Sequence, residues 1–384
     1  PRARRRPPAA PRPAQPARAA NSSRGHVAPP PAPSLLVHGL PPELRRYQRQ
    51  MILPAIGRPG QERLARAVVA VVGLGALGSV SADYLARAGV GRLILIDRDC
   101  LELTNLQRQV LYTEADVAAT LPKAVAAARA LARINSGIEL EDRVADLTAG
   151  GVEALAREVD LIVDGTDNFD TRYLLNDACV KHGKPWIYGA AVGAAGLGLS
   201  ILPGVGPCLR CLFEQPPPVG AAPTCDTVGV LGPLTGIIGA WQAGQAIKLL
   251  AAGPAAVSPR LISIDLWTDE LRAMNARDAR RKTCPCCGKH RFDFLSGRHK
   301  SADAVLCARE GVQISAPPGE RLDLERLAAR LRRTVDGDVE LTPYLCRFRS
   351  GEIGVTVFHD GRAIFQGTTD IAHARSLHAR ILGH

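Results

Sequence analysis

Residues 68–72, Val-Val-Ala-Val-Val, form an unbroken apolar, largely β-branched run that stops at a glycine, and this constrains the fold more than any other stretch. Such a run, with no polar alternation, reads as a strand buried on both faces, the kind found in parallel sheets covered by helices. Gly73, Gly75 and Gly78 follow as G-x-G-x-x-G. These glycines let the backbone turn tightly, approach a phosphate and open a helix whose first amides favour an anion. Residues 93–96 read as the next strand. It ends at Asp97, nineteen residues after Gly78, about where a carboxylate meets a ribose hydroxyl in such a fold. This much suits NAD or FAD as well as ATP.

The following residues narrow the choice. Residues 98–109, RDCLELTNLQRQ, make a polar loop beyond the strand end, and Arg108 in it can pair with phosphate as a planar fork. A hydride-transfer site has no need of that. Residues 161–163 form another strand that delivers Asp164-Gly165-Thr166-Asp167-Asn168 at its carboxyl end, where open α/β sheets place ligands. An acid there can hold magnesium on a triphosphate. Pro122-Lys123 opens an alanine-rich helix, and Lys123 can act as a point charge on phosphate. Each residue also has an ordinary reading: Arg108 in a surface salt bridge, Lys123 solvated, Asp167 capping a helix.

In this order, GLGALG, the aspartate after the strand, NLQRQ, the Pro-Lys pair and TDN, with RYQRQ upstream, resemble the ThiF, MoeB and HesA adenylyltransferases, bacterial relatives of ubiquitin-activating enzymes. The resemblance covers residues 46–294. It implies ATP and Mg2+ as cofactors and a site in which Gly73, Gly75 and Gly78 approach the nucleotide and Asp97 holds the ribose. Asn105, Arg108 and Lys123 would hold phosphates, and Asp167, followed by Asn168, the magnesium. Arg49, from RYQRQ, would reach the site of a neighbouring subunit, which implies a homodimer. The substrate implied is the C-terminal glycine carboxylate of a ubiquitin-like sulfur carrier, activated as acyl-AMP. ThiS-type carriers lead to the thiamin thiazole and MoaD-type carriers to molybdopterin, with a sulfur donor such as a cysteine desulfurase. A Rossmann NAD-dependent oxidoreductase and a catalytically silent carrier-binding scaffold are the rival classes.

Strands alternating with helices up to residue 181 predict an α/β, doubly wound, mostly parallel sheet. Residues 185–207 carry no charge, but their glycines and prolines make two buried strands joined near Gly193 a better reading than a membrane span. Residues 234–250 read as a helix in the core or at a dimer interface. After a polar stretch at 296–301, a helix at 322–333, strands at 344–348, 353–358 and 363–365, and a helix at 371–381 predict a small α+β domain. The expected division is a tail at 1–40, an ATP-binding domain at 41–295 and an interaction module at 302–384, possible docking ground for the carrier.

Composition enters through charge and cysteine. Arg2, Arg4, Arg5, Arg6, Arg12, Arg18 and Arg24 precede the first acid and carry seven of the net eleven positive charges. The basic character therefore belongs mostly to a Pro/Ala/Arg tail with too few large apolar side chains to order itself, and it gives little support to a nucleic-acid partner. Neither a secretory apolar segment nor a membrane span is expected, and the chain reads as cytoplasmic.

Cys208-x-x-Cys211 and Cys284-x-x-Cys287 have the spacing of a tetrahedral structural Zn2+ site. A redox pair or disulfides are the alternatives, disfavoured by a reducing compartment and by the matching second pair. Cys286 falls outside the ligand set, because only Cys284 with Cys287 repeats the two-residue gap. Cys100, Cys179 and Cys346 read as small buried side chains. Cys225 lies on a Pro/Gly-rich loop, expected to be mobile, where a thiol can be accessible and reactive. In thiamin-pathway members of the resembled family the cysteine at this place bonds to the carrier, whereas MoeB-like members have a cysteine there without requiring that role. The Cys307-Ala308-Arg309 segment resembles a C-terminal extension of longer family members, with Ala308 where glycine is usual.

Overall fold

The computed structural model describes residues 40–218, 223–297, 305–306, 311–314, 321–335 and 337–382. The arginine-rich tail and Cys307 lie outside the described residues. Short helices α1 (Gln48–Met51) and α2 (Gly57–Leu64) lead into β1 (Val68–Val72), α3 (Ala76–Ala88) and β2 (Arg92–Ile96). Helices α4 (Glu114–Ala118) and α5 (Lys123–Ile134) precede β3 (Glu139–Arg143), α6 (Ala149–Glu158), β4 (Leu161–Asp164) and α7 (Phe169–Lys181). The hairpin β5 (Trp186–Val192) and β6 (Ala195–Ile201) follows, turning at Gly193.

Two short helices, α8 (Leu209–Leu212) and α9 (Cys225–Val228), come before the long α10 (Gly232–Ala252) and a second hairpin, β7 (Arg260–Asp265) and β8 (Glu270–Asn275). The sheet order is β3-β2-β1-β4-β5-β6-β7-β8. Strands β1 to β5 pair in parallel and the last three add antiparallel. Sequence reading does not find β7 and β8. Strand β8 is exposed along its whole length and β7 buries only Ile264, so neither has the buried periodicity that marks a strand in sequence.

Each buried strand feeds two cores. Val69, Val71, Leu93, Leu95 and Val163 face α3, α5 and α10, while Ala70, Val72, Ile94, Ile96 and Ile162 face α6 and α7. This two-sided burial is why the strands read as continuous apolar runs. Each fully buried aliphatic side chain contributes about 1.5–3 kcal/mol relative to exposure. Gly89, with φ 79°, ends α3 in the left-handed conformation that glycine adopts without penalty.

The second sheet has the order β11-β12-β13-β14-β10-β9. It comprises β9 (Val305–Leu306), β10 (Gly311–Ile314), β11 (Glu340–Leu341), β12 (Leu345–Ser350), β13 (Ile353–Phe358) and β14 (Ala363–Gln366). Helices α11 (Leu324–Leu331) and α12 (Ile371–Leu382) close its core through Leu324, Leu327, Leu377 and Ile381 against Val355, Val357 and Phe365.

Candidate active site

The order of the first sheet reverses between β1 and β4, the place where open α/β sheets form a crevice at their strand ends. Gly73, φ 82°, stands at the end of β1 in a conformation that L side chains rarely adopt. A Cβ on Gly78 would lie 1.8 Å from the Gly73 carbonyl oxygen, so the turn closes onto α3 only because that position is glycine. Gly75 immediately precedes α3. The backbone here is bare enough for a phosphate to approach the first turn of the helix.

Asp97 leaves β2 beside this turn. Its Oδ2 accepts from the Leu74 amide at 2.7 Å and its Oδ1 from the Asp99 amide at 2.7 Å. Burial pushes its carboxyl pKa up, Lys123 and the two amides pull the other way, and neighbouring Asp99 adds to the rise. Lys123 is only 6 % exposed, and its Nζ lies 3.1 Å from Asp99 Oδ2. The loop after β2 is zipped to the start of α5: the Lys123 amide donates to the Asp99 carbonyl at 2.8 Å and the Leu101 amide to the Leu121 carbonyl at 3.0 Å. The solvated reading of Lys123 is thereby excluded. Asp99, which sequence reading passes over, carries no signal beyond being one acid in a polar loop.

Asn105 is buried, its Oδ1 accepting from the Glu102 amide at 3.1 Å, and it holds the turn from which Arg108 projects. Arg108 is half-buried and its Nη1 donates to the Thr104 carbonyl at 3.0 Å. Gln109, also buried, reaches over Gly75, and a Cβ there would lie 3.8 Å from its amide nitrogen. Tyr112 supports the turn from below, its hydroxyl donating to the Leu74 carbonyl at 2.7 Å, and burial pushes its pKa well up. The sequence marks Gln109 only as part of the NLQRQ motif and gives neither residue a role. Their spacing carries no period that would reveal it.

At the end of β4, Asp164 is fully buried. Its Oδ1 accepts from the Thr166 amide at 2.9 Å and its Oδ2 lies 3.5 Å from Arg172 Nε. Burial raises its pKa, against the pull of Arg172 and Thr166. Asp167 is exposed. Asn168, not Asp167, caps α7, accepting from the Thr171 amide at 2.9 Å. The Asp167 carboxylate is thus not used as that cap, and an exposed carboxylate beside the crevice suits a hard cation such as magnesium.

Two predicted residues lie apart from this cluster. Arg49 is exposed on α1, whose neighbour Gln50 donates to the Ala88 carbonyl at 3.0 Å, at the opposite end of α3 from the glycine turn. Thirteen helical residues separate the two ends, about 20 Å. Cys225 opens α9, and its Sγ donates to the Ala191 carbonyl at 3.4 Å. Ala191 lies beyond the register of the β4–β5 pairing, so the thiol sits past the same strand ends as Asp167. Residues 219–222 of its loop lie outside the described residues.

The four cysteines of the paired motifs converge, their sulfurs all within 4.8 Å of one another. Cys208–Cys284, Cys211–Cys287 and Cys208–Cys211 stand at 3.6, 3.3 and 4.0 Å. A tetrahedron of ~2.3 Å zinc–sulfur bonds places sulfurs about 3.8 Å apart, so the donor set fits that metal. Cys286 faces Asn176, whose Nδ2 lies 3.3 Å from its Sγ, outside the four. Cys100, Cys179 and Cys346 are buried, as their apolar surroundings predict.

The sequence model described as the ThiF family matches residues 47–286, which ends before β9. The chain is 44% identical over 338 residues to the "Sulfur carrier protein ThiS adenylyltransferase" of Bacillus subtilis, covering 88% of this chain and 99% of that one. It is 43% identical over 251 residues to the "Sulfur carrier protein adenylyltransferase" of Thermus thermophilus, 64% of this chain and 91% of that one. Among solved structures it resembles E. coli MccB crystallised with ATP, with a TM-score of 0.55 and 25% identity over 64% of this chain and 73% of that one.

Proposed function

This chain belongs to the ThiF family, and from that premise we propose that it is an ATP-dependent adenylyltransferase acting on a ubiquitin-like sulfur carrier of the ThiS type. The observation that carries the reading is the match along nearly the whole of a ThiS adenylyltransferase, second domain included. A carboxylate oxygen of the carrier's C-terminal glycine attacks the α-phosphorus of ATP. The bond from that phosphorus to the bridging oxygen breaks, and pyrophosphate leaves.

No protein nucleophile is needed, so the residues act by position and charge. The glycine turn with Gly73, Gly75 and Gly78 lies along the nucleotide, and Asp97 takes the ribose hydroxyls. Asn105, Arg108 and Lys123 face the phosphates. Asp167, with Asn168 beside it, holds magnesium, which when bound neutralises triphosphate charge. Arg49, next to the residue that binds the end of α3 remote from the glycine turn, serves the site of a second copy, so the working unit is a homodimer. Zinc at Cys208, Cys211, Cys284 and Cys287 is structural. Those thiols pack beside Asn176 in the middle of α7, two turns from the end of that helix that faces the crevice.

Cys225 favours the thiamin branch over a MoaD-type carrier, because its thiol stands at the strand ends where an activated carboxylate would arrive. A sulfur donor such as a cysteine desulfurase then supplies the sulfur. Among the described residues no helix is long and apolar enough to cross a membrane, and the cytoplasm is the compartment this chemistry fits. The test is ATP–pyrophosphate exchange with a ThiS-type carrier, a MoaD-type carrier, and none. Exchange only with ThiS is the expected result. Exchange only with MoaD would move the protein to the other branch, and none with either would refute the reading.

A further inference from the structure

The second sheet packs on the loop that carries Asp97. Arg362, on the turn between β13 and β14, is only 2 % exposed, and its Nε and Nη1 make no hydrogen bond, so the one that Nη2 makes carries the polar anchoring of this buried guanidinium. Its guanidinium lies over Phe358 at 3.9 Å, its Nε stands 3.6 Å from the Asp360 carboxylate, and its Nη2 donates to the Arg98 carbonyl at 2.9 Å. That carbonyl belongs to the Arg98–Asp99 peptide. The N–H of the same peptide donates to Asp97 Oδ1 at 2.7 Å. Since the peptide is planar, fixing its carbonyl fixes where its N–H points. A cation on the carbonyl also polarises the group and strengthens its N–H as a donor.

Further contacts converge on this segment. Gln313, buried on β10, donates to Asp146 Oδ2 at 3.0 Å, the oxygen that accepts from Arg98 Nη1 at 3.1 Å. Thr120, in the left-handed region at φ 51° just before the start of α5, donates to Glu340 Oε1 at 3.2 Å. Cys100, from the same loop, packs with Leu345, Phe358 and Ile364.

We propose that Arg362, with Gln313 beside it, is a positioning residue for the ribose carboxylate Asp97, so that the second domain sets nucleotide affinity through the Arg98–Asp99 peptide. This rests on the nucleotide reading of the site above. It gives a nucleotide-binding use to a domain that lies outside the matched family region.

Calorimetric titration of the full chain with ATP and with 2′-deoxy-ATP tests it, because Asp97 recognises ribose hydroxyls and a merely structural change would weaken both nucleotides alike. The wild type should prefer ATP. Arg362→Met, which keeps the stack on Phe358 but cannot donate, should weaken ATP about tenfold and 2′-deoxy-ATP much less, the loss of one charge-assisted hydrogen bond. Arg362→Lys should retain part of the preference. Should Arg362→Met fail to fold, Gln313→Leu carries the same measurement, with a smaller fall in preference expected. An unchanged preference, an equal loss for both nucleotides, or a wild type that binds the two equally overturns the proposal. Exchange with carrier is measured in parallel: a wild type that discriminates between the nucleotides but never activates a carrier removes the adenylation reading and leaves the brace standing.

Discussion

Gly73 and Gly165 touch: a Cβ added to Gly165 would lie 2.3 Å from the Gly73 carbonyl oxygen and 2.8 Å from the Gly78 Cα. The ends of β1 and β4 therefore meet through backbone alone, and any side chain at residue 165 must push the glycine turn off its helix. Gly165→Ala should cost roughly 1–3 kcal/mol, the usual range for overpacking. Thermal unfolding should show it as a lowered Tm, and ATP affinity should fall with it because the turn is the part displaced. A variant as stable and as tight-binding as the wild type would mean that the turn yields freely.

Asp167 is exposed and Arg108 half-buried with a local hydrogen bond to the Thr104 carbonyl, so their loss should separate chemistry from stability. Arg108→Ala and Asp167→Ala are each expected to reduce ATP–pyrophosphate exchange by about 10²-fold or more while leaving Tm nearly unchanged. Wild-type exchange in either variant would remove that residue from the site.

Position decides the prediction for Arg49. If it completes the site of a second subunit, Arg49→Ala and Asp167→Ala chains are each inactive alone but share one intact site when mixed. Random reassortment of two inactive variants should restore about one quarter of wild-type exchange, since half the dimers are mixed and each has one working site. Mixtures as inactive as their components would place Arg49 in the site of its own chain, and a fully active Arg49→Ala chain would place it outside any site.

For the cysteine cluster, elemental analysis of the purified protein should find one zinc per chain. Strong chelation should lower Tm by several degrees, and the Cys284→Ser/Cys287→Ser double variant should bind no zinc and be unstable. Full zinc occupancy in that variant would refute the ligand assignment.

Adenylation needs no thiol, whereas tethering the carrier through sulfur does. Cys225→Ser should therefore keep exchange within about twofold of wild type, lose any carrier adduct seen on non-reducing gels, and fail to rescue a thiamin-requiring host. Full rescue would make Cys225 a spectator.

The sequence by itself determined the buried strands, the glycine turn and the four-cysteine cluster. Those signals are local: the apolar run at Val68–Val72, the positions of Gly73 and Gly78, and two paired cysteine spacings each state a physical requirement within a few residues. Only the tertiary structure decided how Asp99 pairs with Lys123, that Asp164 is buried while Asp167 is exposed, and that Arg49 stands at the far end of α3. It also decided that Arg362 holds a peptide 264 residues earlier in the chain. Such contacts join segments distant in sequence, and what fixes them is the geometry of two packed sheets, which leaves no period or spacing in the residues themselves.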